Sequence, residues 1–194
     1  VATATLQASF ATIEAAVGGV TALLAARVVP ATIELVDGGS LAAVERYLGR
    51  PVAPPGTGAM LVIEVDGQPA GVEEETHLVS GALASAGALS VHRAATSAER
   101  DALWEARREL SFALRAAAPR KINHDVSVPR GRLPQLFALI AALEREHDLW
   151  IPSFGHAGDG NVHVNIMVDP SDGDVLVRAE RAARALFEGV VALE

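Results

Sequence analysis

A glycine-rich segment near the C-terminus contains the residues best suited to chemistry. It reads GHAGDGNVHVN from Gly155 to Asn165, and its three glycines favour a tight turn between two strands. His156 enters this turn and His163 leaves it, so the two imidazoles can converge on one divalent metal ion, zinc or similar. Asn165 lies on the same strand face as His163. The alternative is an ordinary hairpin, in which Asp159 closes the turn instead of fixing an imidazole tautomer.

A second candidate is Arg107, which lies within the apolar stripe of a predicted helix. The stripe consists of Leu103, Leu110 and Leu114. A buried guanidinium needs a partner, and a planar carboxylate can accept two hydrogen bonds from it. The partner is either the carboxylate of a substrate or one of the acids Glu34 and Glu64. In a third alternative, the long side chain of Arg107 simply reaches solvent.

A third candidate is the segment that begins at Lys121. Lys121 and Asn123 project from the polar face of a predicted strand, where a small anion could meet them. The alternative is a solvated strand edge that carries a charge for solubility.

The elements that must position these residues alternate between helix and strand. Helices are predicted at about 7–26, 40–48, 71–86, 97–117, 131–147 and 174–193, and strands at about 31–37, 59–66, 88–94, 123–128, 149–155 and 162–168. In the last strand, Val162, Val164, Ile166 and Val168 share one face and polar residues take the other. This alternation predicts an α+β fold, a ferredoxin-like antiparallel sheet with helices on one face. The polar sheet face is then free to meet another domain.

Composition narrows the class of protein. The chain has 194 residues, half of them hydrophobic, which suits one globular domain. A net charge of -8 argues against nucleic acid as a partner. No apolar run reaches the roughly 20 residues that a membrane span needs. The absence of cysteine excludes thiolate metal sites and fits a reducing compartment, so we expect a cytoplasmic protein.

These segments, in this order, resemble the FAD-linked oxidases of the vanillyl-alcohol-oxidase type. Members of this group include the glycolate oxidase subunit, D-lactate dehydrogenase and D-2-hydroxyglutarate dehydrogenase. The matching features run across nearly the whole chain, and the most specific is the segment from Gly155 to His163. The others are Pro30 with Glu34 and Asp37, the helix of Trp104 and Arg107, and Asp125 through Pro129.

The resemblance implies a role for each candidate. His156 and His163 would be ligands of a divalent metal. Arg107 would hold the substrate carboxylate, with Ser111 one turn further along the helix, and Asn165 would contact the substrate. Lys121 would also bind the substrate, although relatives often carry this lysine at the place of Asn123. The reaction implied is oxidation of a D-2-hydroxy acid to the 2-oxo acid, with FAD as the redox cofactor.

The resemblance also implies that the chain is one part of a larger enzyme. Residues 1–194 would be the C-terminal substrate- and metal-binding domain, and the flavin-binding domain would precede it. The chain starts at Val1 rather than Met and stops at Glu194 within a helical pattern, so we expect a fragment. A Glu-His-Gly segment beyond residue 194 would supply the third metal ligand and the base. We therefore assign no catalytic residue within the chain and expect the chain alone to be inactive.

The expected partners are a small 2-hydroxy acid, the flavin domain of the same protein, an electron-acceptor protein and a second copy of the chain. Two other classes of function compete with this one. The chain could be a non-catalytic ferredoxin-like module that binds a small acid or a partner through its sheet. A metal-dependent hydrolase has less support, because the chain has no His-Glu-x-x-His helix.

Overall fold

The computed structural model describes all 194 residues, from Val1 to Glu194. Seven strands and six α-helices alternate along the chain. In order they are β1 (Ala2–Phe10), α1 (Ile13–Ala25), β2 (Thr32–Asp37), α2 (Gly38–Leu48), β3 (Ala59–Gly67), α3 (Pro69–Ser85), β4 (Ser90–Arg93), α4 (Ser97–Ala117), β5 (Arg120–Ser127), α5 (Leu133–His147), β6 (Ser153–His156), β7 (Asn161–Val168) and α6 (Val175–Val191).

The strands form a single sheet in the order β4-β1-β3-β2-β6-β7-β5. Every neighbouring pair is antiparallel. This confirms the predicted α+β class and the antiparallel sheet. Of the predicted strands, the one at 149–155 is shorter than expected: β6 begins at Ser153, and Trp150 makes only an isolated bridge to Met167.

The larger core lies between one sheet face and four helices. Helices α1, α3, α5 and α6 cover this face, as predicted. Its 37 buried residues include alternate positions of the central strands, such as Leu6, Ile33, Leu61 and Val164.

The other sheet face carries two helices, which corrects the prediction that all helices lie on one face. A second core of 12 buried residues joins α2 and α4 to this face. The physical reason is that β2 and β3 are apolar on both sides: Val36, Met60 and Val62 point away from the larger core and must also be covered. The alternation seen in β5 and β7 does not extend to these central strands. Toward β5 and β7 the same face remains polar, and the candidate residues lie there.

The N-terminal strand β1 is a second correction, because a helix was predicted at 7–26. The structure has a strand to Phe10 and a helix from Ile13, capped by the Thr12 hydroxyl, which accepts a hydrogen bond from the Ala15 amide. Apolar and polar residues alternate along β1, and the apolar ones, Ala4, Leu6, Ala8 and Phe10, belong to the larger core. Two of these four residues are alanine, which also favours helices, and this hid the strand pattern.

None of the six helices combines the length and apolar character that crossing a membrane requires.

Candidate functional site

The hairpin of β6 and β7 positions the two histidines. Phe154 pairs with His163, and His156 pairs with Asn161 at the turn. A Cβ atom at Gly155 would lie 2.3 Å from the Asn161 carbonyl oxygen, and one at Gly160 would lie 2.0 Å from the Val128 carbonyl oxygen. Gly160 also has φ +81°, a left-handed conformation that favours glycine. The glycines therefore allow the close backbone approach that brings the strands together.

Both histidine rings lie on the sheet face of α2 and α4, with centroids 5.8 Å apart and planes at 75°. Each Nδ1 faces a carboxylate on the neighbouring strand. His156 contacts Glu34 of β2, and His163 contacts Asp125 of β5 at 2.6 Å. A carboxylate can only accept, so Nδ1 carries the proton in both rings. In the neutral tautomer the lone pair is then on Nε2, which makes no hydrogen bond within the chain in either residue.

This donor set fits a divalent metal as two of its ligands. Neutral imidazole nitrogens bind zinc at about 2.0–2.1 Å, and the ring spacing is small enough for both to reach one ion. The carboxylate behind each ring matches the outer-shell partners of metal-bound histidines. No group of three or more His, Cys, Asp or Glu side chains in the chain could hold a metal. A complete site therefore requires a ligand besides these two.

Glu34 connects His156 to Arg107. The Nε of Arg107 donates to its carboxylate at 2.6 Å, and Glu34 itself is only 3% exposed. Of the alternatives raised by the sequence, the pairing with Glu34 is the one present. The two terminal nitrogens of Arg107 make no hydrogen bond within the chain. The guanidinium carbon of Arg107 lies 4.8 Å from the ring centroid of Phe154, and the ring centroids of Phe154 and His163 are 5.2 Å apart. The ring of Phe154 therefore lies between Arg107 and His163.

Ser111 and Lys121 line a cleft next to Arg107. The Nζ of Lys121 donates to the Ser111 hydroxyl at 3.2 Å. Partial burial, aided by the nearby Arg115 charge, lowers the pKa of the Lys121 ammonium. We call the surface cleft beside Arg107 the cationic cleft. Its volume is about 360 Å³ and it is lined by Arg107, Ser111, Arg115, Lys121, Asn123, Asp125, Phe154 and His163.

Asn123 and Asp125 form the floor of the cleft on β5. The Asn123 amide donates to Asp125 at 2.9 Å. The hydrogen bonds from His163 and Asn123 lower the pKa of the Asp125 carboxyl, so this group stays ionised beside its imidazole.

Asn165 lies beneath the site rather than in the cleft. It is fully buried, and its amide nitrogen donates to the carbonyl oxygens of Pro152 and His163, both at 3.1 Å. Its Oδ1 is buried without a partner. The predicted substrate contact would have to use that oxygen, and it stays a prediction. Asp159 is an exposed turn residue whose carboxylate accepts from the Asn161 amide at 3.0 Å.

Three residues have a role at the site that was not predicted from the sequence. Glu34 was named as an alternative partner of Arg107 and among the matching features, Asp125 only in a matching segment, and Phe154 was given no role. A signal existed for Glu34: it is a lone acid between apolar neighbours in Ile33-Glu34-Leu35, and a buried carboxylate requires partners. No signal of this kind singled out Phe154.

Fold and site define an α+β domain with a cation-lined cleft and two carboxylate-paired histidines on one face of its sheet. Residues 2–194 match the family model described as FAD linked oxidases, C-terminal domain, and the chain belongs to this family.

Relatives at the sequence level include oxidase subunits and dehydrogenases. The chain is 35% identical over 191 residues to the glycolate oxidase subunit GlcD of Bacillus subtilis (strain 168), covering 97% of the chain and 40% of that protein. It is 30% identical over 190 residues to a probable mitochondrial D-lactate dehydrogenase of Danio rerio, covering 96% of the chain and 37% of the relative. The chain thus spans less than half the length of these relatives.

The fold also matches a solved structure at low identity. The crystal structure of p-cresol methylhydroxylase with substrate bound superposes with a TM-score of 0.70 at 12% identity, covering 97% of the chain and 43% of that structure. At this identity, the likeness concerns the fold alone.

Proposed function

We propose that this chain is the substrate- and metal-binding domain of an FAD-dependent dehydrogenase that oxidises a D-2-hydroxy acid to the 2-oxo acid. The acid is of the glycolate, D-lactate or D-2-hydroxyglutarate type. Family membership and the two relatives support an oxidoreductase acting on hydroxy acids. The observation that carries the proposal is the pair of carboxylate-oriented histidines beside an arginine whose terminal nitrogens are free.

His156 and His163 would hold a divalent metal through their Nε2 atoms. Such an ion acts as a Lewis acid that polarises a bound hydroxyl oxygen. Glu34 and Asp125 accept from the Nδ1 atoms and so keep the rings oriented. These four side chains come from β2, β5, β6 and β7, so the sheet itself fixes their spacing.

Arg107 would bind the carboxylate of the acid. Its terminal nitrogens form a planar fork that suits a carboxylate, and its Nε is already held by Glu34. Because the guanidinium also lies near the ring of Phe154, its position is fixed before the substrate arrives. A fixed anchor aligns the acid and avoids part of the entropy lost on reaching the reactive geometry.

Oxidation removes a hydride from C2 of the acid and a proton from its hydroxyl. FAD, when bound, is the acceptor of the hydride. The residues of this chain would bind and orient the acid, and none of them is assigned as the base.

Metal titration and dye reduction with the full-length protein test this function. We expect wild type to bind one divalent ion per chain and to reduce a dye with a D-2-hydroxy acid. His163→Ala should lower zinc affinity by at least the ~10-fold to 100-fold typical of losing an outer-shell partner, and activity should fall with it. The control is His77→Ala, an exposed residue of α3 on the opposite side of the sheet.

Equal zinc affinity in wild type and His163→Ala would contradict the ligand role. Binding of 2-hydroxy acids without any dye reduction would instead favour a non-catalytic small-acid module.

A further inference from the structure

Helix α4 presents a second cation to the cationic cleft. Arg107, Ser111 and Arg115 follow one another at four-residue steps, so they lie on neighbouring turns of one helix face. Arg107 and Arg115 are slightly more than two helical turns apart, which corresponds to about 12 Å along the helix axis. The cleft therefore has cationic groups at both ends of its α4 wall.

Lys121 lies across the cleft from these turns and strengthens the positive charge at the Arg115 end. Its Nζ is held by Ser111, between the two arginines. Its ammonium is close enough to Arg115 for the repulsion to lower its pKa, in addition to the effect of burial. Two cations are thus kept near each other although their charges repel.

The acids of the chain offset the charge of this pair only in part. Arg115 is exposed and makes no hydrogen bond or ion pair within the chain. Asp125 is the acid that attracts Lys121, but its carboxylate already accepts from His163 and Asn123. The protein carries 24 acidic against 16 basic residues, so the excess of cations over acids in this cleft is not a consequence of composition.

Arg107 differs from this pair, because Glu34 already offsets its charge. Its free nitrogens suffice for one carboxylate of a substrate. A one-carboxylate acid held there would leave Arg115 and Lys121 without an anion, and a cleft of about 360 Å³ has room for a longer molecule.

We propose that Arg115 and Lys121 form a second carboxylate subsite, so that the substrate is a dicarboxylic 2-hydroxy acid. The inference rests on the proposed function and narrows its substrate class. Arg107 holds the carboxylate next to the reacting carbon. The Arg115–Lys121 pair holds the distal one, with the guanidinium and the ammonium donating to its two oxygens.

The ratio of kcat/KM for D-2-hydroxyglutarate to that for D-lactate tests the subsite in the full-length flavoprotein. We expect wild type to favour the dicarboxylic acid. Hydrogen bonds to charged groups contribute about 1.5–3 kcal/mol, and about 1.4 kcal/mol corresponds to tenfold, so Arg115→Gln should lower the ratio by about tenfold or more. Arg115→Lys should recover part of the preference.

Arg108→Gln is the matched control. Arg108 is on the same helix, but its guanidinium donates to the Asp101 carbonyl oxygen in solvent and does not line the cleft. Its substitution should leave the ratio unchanged. Inhibition by unreactive acids gives a second measurement: glutarate should compete more strongly than butyrate in wild type, and this difference should shrink in Lys121→Gln.

The inference is overturned if wild type prefers D-lactate, if Arg115→Gln leaves the ratio unchanged, or if that variant loses FAD instead of selectivity. In each of these cases oxidation of a 2-hydroxy acid still takes place, so the proposed function stands. Failure of wild type to oxidise any 2-hydroxy acid would overturn both.

Discussion

The two oxygens of the Glu34 carboxylate contact two different functional side chains. One oxygen accepts from Arg107 and the other contacts His156. Since Glu34 is almost fully buried, the carboxylate keeps a fixed orientation and imposes it on both partners. It thereby couples the arginine expected to bind the acid to a histidine expected to bind the metal.

Replacing Glu34 with glutamine tests this coupling. Glutamine has one acceptor oxygen and a donor nitrogen, so it cannot accept from both partners at once. We expect zinc affinity of the full-length protein to fall by about 10-fold to 100-fold, and KM for the hydroxy acid to rise. Zinc titration and steady-state kinetics measure the two effects separately.

Glu64→Gln is the control for that substitution. Glu64 lies on the same sheet face but accepts from Thr5 and Trp104, away from both histidines. Its replacement should leave zinc affinity unchanged. If Glu34→Gln behaves like Glu64→Gln, Glu34 only stabilises the fold.

The residue types at the site could be predicted, but their pairings could not. Two histidines around a glycine turn indicated a metal site from spacing alone. Glu34 and Glu64 were equal candidates as partners of Arg107, since each lies between two apolar neighbours in its strand. The strand order decides between them: β2 neighbours β6 and so places Glu34 directly opposite His156.

Among the elements, the β6–β7 hairpin depends most on glycine. Gly160→Ala would require a left-handed conformation for alanine and a Cβ atom 2.0 Å from the Val128 carbonyl oxygen. The conformation alone costs about 1–3 kcal/mol, and the clash adds to it. We expect urea denaturation to show a loss of at least that size.

Gly18→Ala should have the opposite effect on the free energy of unfolding. Gly18 is an exposed position of α1, and a Cβ atom there meets nothing within 4 Å. Alanine favours the helix over glycine by about 0.5–1 kcal/mol, so this variant should be more stable than wild type. Equal effects of the two substitutions would refute the conformational argument.

Asp37 joins three elements at the end of β2. Its carboxylate accepts from the Ser40 amide at the start of α2 and from the Ser153 amide of β6, at 2.7 and 2.6 Å. Burial of the carboxyl nevertheless raises its pKa to about 6, because these hydrogen bonds only partly offset the lost hydration. The residue thus holds the helix and the hairpin strand in place while it favours the protonated form.

This pKa predicts a pH dependence of stability. Between about pH 4 and pH 6 the unfolded chain loses the Asp37 proton before the folded protein does, so the folded state binds more protons and stability falls as pH rises. The contribution is fully present below about pH 4 and lost above about pH 6. It amounts to roughly 1–3 kcal/mol, since one pKa unit is 1.36 kcal/mol.

Comparing wild type with Asp37→Asn isolates this contribution, because asparagine does not titrate. The free energy of unfolding of wild type minus that of the variant should decrease from about pH 4 to pH 6 and then stay constant. A difference that stays constant or grows across this range would contradict the raised pKa.

Element types were largely predictable, and the main exception is β1. Strands β5 and β7 alternate clearly, so their faces were correctly assigned. Strand β1 contains several alanines and continues into a helix, so a period of two and a period of 3.6 could not be separated there.

At the scale of the whole molecule, the two sheet faces have different roles. One is covered by four helices and forms the larger core. The other is covered by α2 and α4 over its centre and stays polar toward β5 and β7. The candidate residues occupy this polar part, next to the end of the covered area. The apolar residues of β2 and β3 on that face were visible in the sequence, but which helices cover them depends on the order of the strands.

The proposed site requires two imidazoles that converge on one metal ion, and X-ray absorption at the zinc edge of the full-length, zinc-loaded protein tests this most directly. We expect two histidine nitrogens at about 2.0–2.1 Å from zinc in wild type. In His163→Ala one histidine should remain. A wild-type spectrum with fewer than two histidines, or one that His163→Ala leaves unchanged, would contradict a metal site built on these two residues.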